Sequence, residues 1–200
     1  MTSDDNRFRA YHEAVAGRPP RATLLMALDA FAAEGRIGFA VDLGAGEGRD
    51  AVALLRRGWT VLAIDTDALA LTRLRARPDV PPGAHLATLH ASFVDARWPQ
   101  ADLVNASFAL PLCPAERFPE LWARLRASLL PGGRFAGQLY GERDSWAERP
   151  GLTVHSRDAA RALFDGWTVE RFDEEETDAV TPRGEAKHWH IFNLVARTSD

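Results

Sequence analysis

The stretch Phe39–Arg49 constrains the fold more than any other, because an apolar run leads directly into a glycine-rich turn and a helical pattern. The run at 37–43 has the length and apolar character of a strand that is covered on both faces, as in parallel sheets. The glycines Gly44, Gly46 and Gly48 follow it at once. Such a turn places backbone N–H groups and a helix N-terminus at the carboxyl edge of a parallel sheet, where ligands of these folds bind. The stretch therefore predicts an α/β fold with a ligand site at that edge.

The rest of the chain alternates helical and strand patterns. Helices are predicted over 21–33, 48–57, 67–77, 118–129 and 156–164, and strands over 37–43, 59–64, 84–91, 101–106, 134–140, 167–172 and 187–197. Only the acidic segment 173–178 separates the last two strands, and such a segment is typical of a solvated loop or a strand edge. We expect a Rossmann-like doubly wound α/β sheet of about seven strands. It should be mostly parallel, with helices on both faces and a C-terminal antiparallel β-hairpin.

The length and composition predict one domain. A chain of 200 residues with 46% apolar residues can bury a single sizeable core, so we expect residues 1–200 to fold together. Residues 1–35 form an N-terminal arm and helix in this prediction, and 37–197 form the sheet core. The arm contains Tyr11 and His12, and it either covers the ligand site as a lid or packs as a helix on the sheet edge.

Composition also excludes several classes of partner. No apolar run is long enough to cross a membrane, and the polar start differs from a secretory signal, so we expect a cytoplasmic protein with no membrane partner. The formal net charge of -4 argues against nucleic-acid binding, which requires clustered basic residues, and favours a small-molecule partner. Cys113 is the single cysteine, so we expect neither a disulfide nor a metal site. Lys187 is the single lysine among 24 basic residues.

Two carboxylates flank the glycine turn. A dinucleotide fingerprint requires Gly-x-Gly-x-x-Gly, but Arg49 occupies the position of its last glycine. The carboxylate of Asp42 stands instead on the strand before the turn. Asp65 ends the next strand, 23 residues later, where a carboxylate can accept from both hydroxyls of a ribose. The pattern predicts a ligand that contains a nucleoside.

The pattern Asp42-x-Gly-x-Gly-x-Gly48 resembles motif I of the class I S-adenosylmethionine-dependent methyltransferases. The cofactor of that family carries a sulfonium and an ammonium but no phosphate, which suits an acidic residue at the turn. The resemblance covers 37–140 and the hairpin 167–197, and it implies S-adenosylmethionine as the cofactor. The residues that we expect at the cofactor are Asp42, Gly44, Ala45, Gly46, Arg49, Asp65, Thr66, Ser92, Phe93 and Asn105. Ser92 departs from the family, which often has an acidic residue there, so backbone groups or Asp95 would read the adenine.

A narrower resemblance concerns both ends of the chain. The short N-terminal arm, Gly166-Trp167-x-Val-Glu170, the acidic hairpin and the Leu-Val-Ala-Arg197 ending are similar to tellurite-resistance (TehB-like) methyltransferases. This likeness implies a small acceptor, such as an oxyanion or another soft nucleophile. It also implies that polar residues of the closing hairpin lie near the acceptor.

The closing strand offers candidates for that role. Alternation places His188 and His190 on one face of the strand, with Lys187 and Trp189 on the other. As a hypothesis, either histidine orients or deprotonates the acceptor, and the alternative is an edge-strand histidine without a role. Ser107, after the fourth predicted strand, is a candidate for contacting the acceptor or the methionine portion of the cofactor.

Three functions remain open at this point. The first is methyl transfer from S-adenosylmethionine to a small molecule. The second is a domain that binds S-adenosylmethionine or S-adenosylhomocysteine without catalysis, since the same binding residues serve both. The third is an NAD-dependent oxidoreductase, against which the missing glycine at Arg49 and the lack of a Tyr-x-x-x-Lys pair argue.

Overall fold

The computed structural model describes residues 17–181 and 184–199. The strands are β1 Phe39–Leu43, β2 Thr60–Asp65, β3 Leu86–His90, β4 Ala101–Ala106, β5 Leu129–Gly141, β6 Val154–His155, β7 Thr168–Val180 and β8 Ala186–Arg197. The α-helices are α1 Ala22–Ala33, α2 Arg49–Arg56, α3 Ala68–Arg75, α4 Phe118–Ser128 and α5 Arg157–Ala162, with a 3₁₀ turn at Leu110–Leu112. The strands form one sheet in the order β3-β2-β1-β4-β5-β8-β7, and β6 pairs with β5 beside this path.

This sheet confirms the predicted Rossmann-like fold. Strands β1 to β5 are parallel neighbours, and β8 runs antiparallel to both β5 and β7. The strand order reverses between β1 and β4, which is where ligands of open α/β sheets bind. The structure has one strand more than the seven that were predicted, because the two-residue β6 adds to β5.

Hydrophobic layers cover both faces of the sheet. One layer contains Leu28 and Phe31 of α1 together with Leu54 of α2, and the other contains Trp122 of α4 and Phe164 next to α5. Both layers are closely packed and include aromatic contacts such as the one between the rings of Phe31 and Trp59, 5.0 Å apart. Cys113 is fully buried in the second layer.

Side-chain caps fix the start of two helices where the sequence predicts them. Asp67 accepts hydrogen bonds from the N–H groups of Leu69 and Ala70 at the start of α3. Ser156 accepts one from Ala159 at the start of α5. The helix α2 lacks such a cap and begins after Gly48, whose φ is 80°.

The acidic segment lies inside β7, which extends to Val180 and not to the predicted end near 172. β7 is the last strand of the sheet, so the segment is a strand edge, one of the two readings that the sequence left open. The side chains of Glu174 and Glu176 form ion pairs with Arg143. Charged side chains along an exposed edge also oppose pairing with other chains.

The structure describes only part of the N-terminal arm that was predicted as a possible lid. Tyr11 and His12 lie outside the described residues, whereas Arg21 lies directly before α1. Within the described ranges, no helix has the length and apolar character that a membrane span requires.

Two glycines with the same backbone conformation provide a test of the packing beneath the turn. At Gly48, an added Cβ would lie 2.1 Å from Cδ1 of the buried Leu74, whereas at Gly58 the nearest atom is 3.7 Å away, and both φ values are near +80°. We expect Gly48→Ala to lower the unfolding free energy by about 2–4 kcal/mol, from backbone strain plus overpacking. Gly58→Ala should cost only the backbone part, about 1–2 kcal/mol. Denaturant unfolding measures both, and equal losses would contradict the packing argument.

Candidate functional site

The glycine turn is tied to the neighbouring strand β2 by its own backbone. The N–H groups of Gly44 and Ala45 donate to the carbonyl of Ile64 at 2.8 and 3.1 Å. The N–H of Gly46 donates to Asp65 Oδ2 at 2.7 Å. These bonds fix the turn at the carboxyl ends of β1 and β2.

Asp65 holds the position predicted for a ribose-binding carboxylate. Each of its oxygens accepts one backbone N–H, from Gly46 at 2.7 Å and from Asp67 at 2.8 Å. A carboxylate has about four acceptor positions, so two bonds leave acceptor capacity on both oxygens. The side chain lines the cavity described below. It can therefore accept from two neighbouring hydroxyl groups of a ligand.

A buried polar cluster lies beneath the turn. Asn105 of β4, fully buried, donates through Nδ2 to Asp42 Oδ1 at 2.8 Å and lies 3.3 Å from Asp50 Oδ2. The other oxygen of Asp50 accepts the N–H of Arg21, at the start of α1, at 3.0 Å. One amide thus joins two carboxylates that belong to β1 and α2.

Asp42 is an unusual carboxylate because of this environment. Burial, together with the nearby Asp50 charge, raises its pKa to about 8, against the hydrogen bond from Asn105, which lowers the pKa. Its Oδ2 is buried and has no hydrogen-bond partner within the described ranges. A positive charge brought by a ligand above the turn would favour the ionised form of this carboxyl group.

A large cavity opens above the turn, with a volume of about 1070 Å³. At one end it is lined by the glycine turn and the ends of β2 and β3, and at the other by the hairpin β7–β8 and the segment after β5. The residues at the first end are Gly44, Gly46, Asp65, Thr66, Ser92, Phe93, Val94 and Asp95. Those at the second end include Phe108, Gln138, Tyr140, Trp146, Arg149, Glu175, Trp189 and Asn193.

Four aromatic rings form a wall at the second end. The ring of Phe108 lies 6.2 Å from that of Tyr140 and 6.1 Å from that of Trp189. Trp146 lies 6.4 Å from Tyr140 and 5.9 Å from Trp189. We call these four residues the aromatic wall. Phe108 has a φ of 56°, a strained value for a non-glycine residue and one that often marks a functional site.

A buried ion pair stands behind this wall. The side chains of Lys187 and Asp144 are fully buried and contact each other. The Nζ of Lys187 lies 4.9, 4.2 and 4.3 Å from the ring centroids of Tyr140, Trp146 and Trp189. Asp144 also accepts the N–H groups of Trp146 and His190, so the pair anchors the segment after β5 to β8.

Arginines lie over the rings of the wall that are nearest the solvent. The guanidinium of Arg21 is 4.3 Å from the centroid of Phe108, and that of Arg149 is 4.2 Å from the centroid of Trp146. Gln138 connects α1 with Phe108, because its Nε2 donates to Thr23 at 2.9 Å and its Oε1 accepts the N–H of Phe108 at 3.2 Å. This end of the cavity is thus aromatic and carries two arginines, and the acidic side chain of Glu175 lines it as well.

The structure brings most of the predicted cofactor residues to one place. Those that line the cavity are Gly44, Gly46, Asp65, Thr66, Ser92 and Phe93, with Ser107 farther along. Asp42 and Asn105 lie below the turn and are buried, so they support it instead of lining the cavity. The Nε of Arg49 lies 3.8 Å from Asp50, and Ala45 packs on the core. Asp95 lines the cavity beside Phe93 and forms an ion pair with Arg117 at 2.9 Å.

The histidine hypothesis requires a correction. His188 and His190 share a face of β8 as predicted, but the cavity is lined by the other face, which carries Trp189. His190 is 1% exposed; its Nδ1 accepts the N–H of Arg143 at 3.1 Å and its Nε2 lies 2.9 Å from Glu174. His188 lies between Glu176 and Asp178, whose carboxylates raise its pKa. Both histidines therefore belong to the charged outer face of the hairpin.

The sequence analysis did not identify the aromatic wall or its arginines. Its four rings come from four different elements, the turn after β4, β5, the segment after β5, and β8. One signal was present, since alternation placed Trp189 opposite the histidines. Which of the two faces lines a cavity depends on how the hairpin packs against β5, and spacing along one strand does not contain that information.

Comparison with known proteins shows what the chain is similar to. Residues 40–133 match a family model described as a methyltransferase domain. This match, together with the fold, confirms the predicted resemblance to class I S-adenosylmethionine-dependent methyltransferases. No curated protein sequence matches the chain significantly.

Solved structures of several methyltransferases share the fold. TehB from Haemophilus influenzae matches with a TM-score of 0.75 at 14% identity, over 95% of this chain and 67% of that chain. Magnesium protoporphyrin IX methyltransferase from Synechocystis PCC 6803, with S-adenosylmethionine bound, matches at 0.69 and 15% identity, over 96% and 91%. The 1,6-didemethyltoxoflavin-N1-methyltransferase of Burkholderia thailandensis matches at 0.61 and 20% identity, over 98% and 87%. At these identities the TehB-like subgroup stays a prediction.

The raised pKa of Asp42 predicts a pH dependence of stability. Between pH 4 and pH 8 the unfolded chain has lost this proton, whereas the folded chain retains it, so the unfolding free energy falls as pH rises through this range. We expect Asp42→Asn to remove this part of the slope, so that the variant gains stability relative to the natural protein between pH 5 and pH 8. Urea unfolding at both pH values measures the difference. Glu148→Gln, at an exposed site, is the control, and an equal slope in Asp42→Asn would contradict the assignment.

Proposed function

On the premise that this chain carries a class I S-adenosylmethionine-dependent methyltransferase domain, we propose that it transfers a methyl group from S-adenosylmethionine to a small molecule bound beneath the C-terminal hairpin. One observation carries this proposal. A single cavity runs from Asp65 and the glycine turn to the aromatic wall, so that it can hold a donor and an acceptor end to end. Its volume of about 1070 Å³ exceeds that of most pockets for one small ligand.

The first end of the cavity suits the cofactor. Asp65 retains acceptor capacity on both carboxylate oxygens for the ribose hydroxyls. Phe93 and Val94 offer apolar surface for an adenine, and Asp95, beside them, would accept a hydrogen bond from its amino group. The carboxylates of Asp65 and Asp95 line this end of the cavity, which suits a ligand with ammonium and sulfonium groups. When bound, the cofactor supplies an electrophilic methyl group on a cationic sulfur.

The protein contributes position and exclusion of water. Methyl transfer is an in-line displacement, in which the acceptor's lone pair forms the new bond and the electron pair of the broken bond stays on sulfur. Holding the reacting atoms at near-attack distance supplies much of the rate enhancement, and a general base is optional. Ser107 lies at the end of β4, lines the cavity and contacts the Asn105 side chain at 3.3 Å, so we assign it a role in orienting the acceptor.

The acceptors of similar proteins support a small molecule. The names of two of the matched structures specify magnesium protoporphyrin IX and 1,6-didemethyltoxoflavin as their substrates, and both are small molecules. The cavity here is bounded by the hairpin on one side and by α1 on the other, which also suits a small acceptor. A cytoplasmic location remains part of this proposal.

Calorimetric titration with S-adenosylhomocysteine tests the cofactor site. We expect Asp65→Ala to weaken binding about 10–100-fold, because hydrogen bonds between a charged group and two hydroxyls are lost. Asp67→Asn is the matched control. That side chain lies two residues away and caps α3, so the variant should keep its affinity and lose only some helix stability. Equal weakening in both variants would contradict the role of Asp65.

Transfer of a labelled methyl group separates catalysis from binding alone. A chain that binds S-adenosylhomocysteine but methylates nothing in a broad panel of small nucleophiles would support the non-catalytic reading. Binding of NAD in place of S-adenosylhomocysteine would favour the oxidoreductase reading instead.

A further inference from the structure

The acceptor end of the cavity has a distinctive combination of rings and charges. Phe108, Tyr140, Trp146 and Trp189 provide flat apolar surface, and their mutual edge and tilted contacts hold them in fixed orientations. Rings in such a wall favour either a flat ligand that stacks on them or a cation that lies over their faces. The surrounding charges decide between these two.

A cation of the protein already lies against the back of the wall. The Nζ of Lys187 lies within 4.9 Å of the centroids of Tyr140, Trp146 and Trp189, and the side chain is fully buried. Its partner Asp144 is fully buried too and neutralises this charge. The charge that a ligand meets at the rings therefore comes from side chains on the cavity side, which are Glu175 and the two arginines described next.

Two arginines add positive charge on the cavity side. The guanidinium groups of Arg149 and Arg21 lie over Trp146 and Phe108 at 4.2 and 4.3 Å. A guanidinium that lies over a ring keeps its N–H groups in its own plane, where they can bind a carboxylate or another planar anion in a bidentate manner. Within residues 17–181 and 184–199, Arg149 forms no ion pair, and its side chain is exposed at the cavity wall.

We propose that the methyl acceptor is a flat, negatively charged molecule that stacks on the aromatic wall and is held through its anionic group by Arg149. This inference rests on the proposed function, since it identifies the chemical class of the acceptor at that same site. Arg149 is a specificity-determining residue in this arrangement, and Arg21 adds to the positive potential. Lys187 and Asp144 are positioning residues, because they hold Trp146 and Trp189 in place from behind.

The reaction fits an anionic acceptor. Where the negative charge of a flat conjugated anion is shared by the attacking atom, that atom has no proton to lose, so it needs no base. This agrees with the position of His188 and His190 on the outer face of the hairpin. The negative charge of the acceptor and the positive charge of the donor also attract each other in a cavity that excludes much of the water.

Binding of charge-matched probes tests the proposal on the full chain saturated with S-adenosylhomocysteine. Benzoate, benzamide and benzamidine have the same flat shape and carry a negative, a neutral and a positive charge, and cyclohexanecarboxylate carries the negative charge on a ring that is not flat. We expect calorimetry to show benzoate binding at least about tenfold more tightly than each of the other three probes. Benzamide or benzamidine binding as tightly as benzoate, or no benzoate binding at all, would overturn the proposal. If cyclohexanecarboxylate bound as tightly as benzoate, the requirement for a flat acceptor would be overturned.

Two arginine variants test whether Arg149 is responsible for the preference for benzoate. Arg149→Gln should weaken benzoate binding about tenfold and leave benzamide binding and the affinity for S-adenosylhomocysteine unchanged. Arg161→Gln is the matched control, because Arg161 is also exposed and stacks on a ring, that of Phe172 at 5.3 Å, but does not line the cavity. Unchanged benzoate binding in Arg149→Gln would contradict the assignment. A natural protein that fails to bind S-adenosylhomocysteine counts against the proposed function and not against the charge preference.

Discussion

The hydrogen bonds of Asn105 are the constraint on which the site depends. Its amide joins Asp42 of β1 to Asp50 of α2, and Asp50 in turn holds the first backbone N–H of α1 through Arg21. Three elements, β1, α2 and β4, thus meet at one buried side chain, and α1 joins them through Asp50. The glycine turn lies directly above this cluster, so its position relative to Asp65 follows from it. Loss of the amide would leave two carboxylates facing each other in a buried place, which is costly.

The hairpin determines the other half of the site. Because β8 pairs antiparallel with β5, the start of β8 extends past the carboxyl edge of the parallel strands and faces the glycine turn across the cavity. Side chains alternate along β8, so this position brings Trp189 to the cavity and His190 to the outer face. The ion pair of Lys187 and Asp144 then fixes the segment after β5 against the hairpin. Buried ion pairs add little net stability in general, and here the pair specifies one arrangement of the rings.

The sequence patterns predicted the features that depend on residues close together in the sequence. The strands, the helix caps at Asp67 and Ser156, the glycine turn and the position of Asp65 follow from spacing and local chemistry, and the structure contains them. The patterns did not predict which face of β8 lines the cavity, or that Asn105 is buried beneath the turn and not in the cavity. Both depend on contacts between residues far apart in sequence, such as Asn105 with Asp42, and a single sequence carries no periodic signal for them.

The two ends of the cavity have different charged groups around them, and these groups affect both stability and ligand binding. Asp42 is held in a place where its ionised form is disfavoured, which lowers stability at neutral pH in the absence of a ligand. At the other end, the guanidinium of Arg149 lies over the half-buried ring of Trp146, and that of Arg21 lies over Phe108. Under our proposal, Arg149 would attract an anionic acceptor to this end, whereas Asp65 and Asp95 line the end assigned to the cationic donor. Charge as well as shape would then distinguish the two ligands. Lys187, neutralised by Asp144 behind the rings, would act only by holding Trp146 and Trp189 in place.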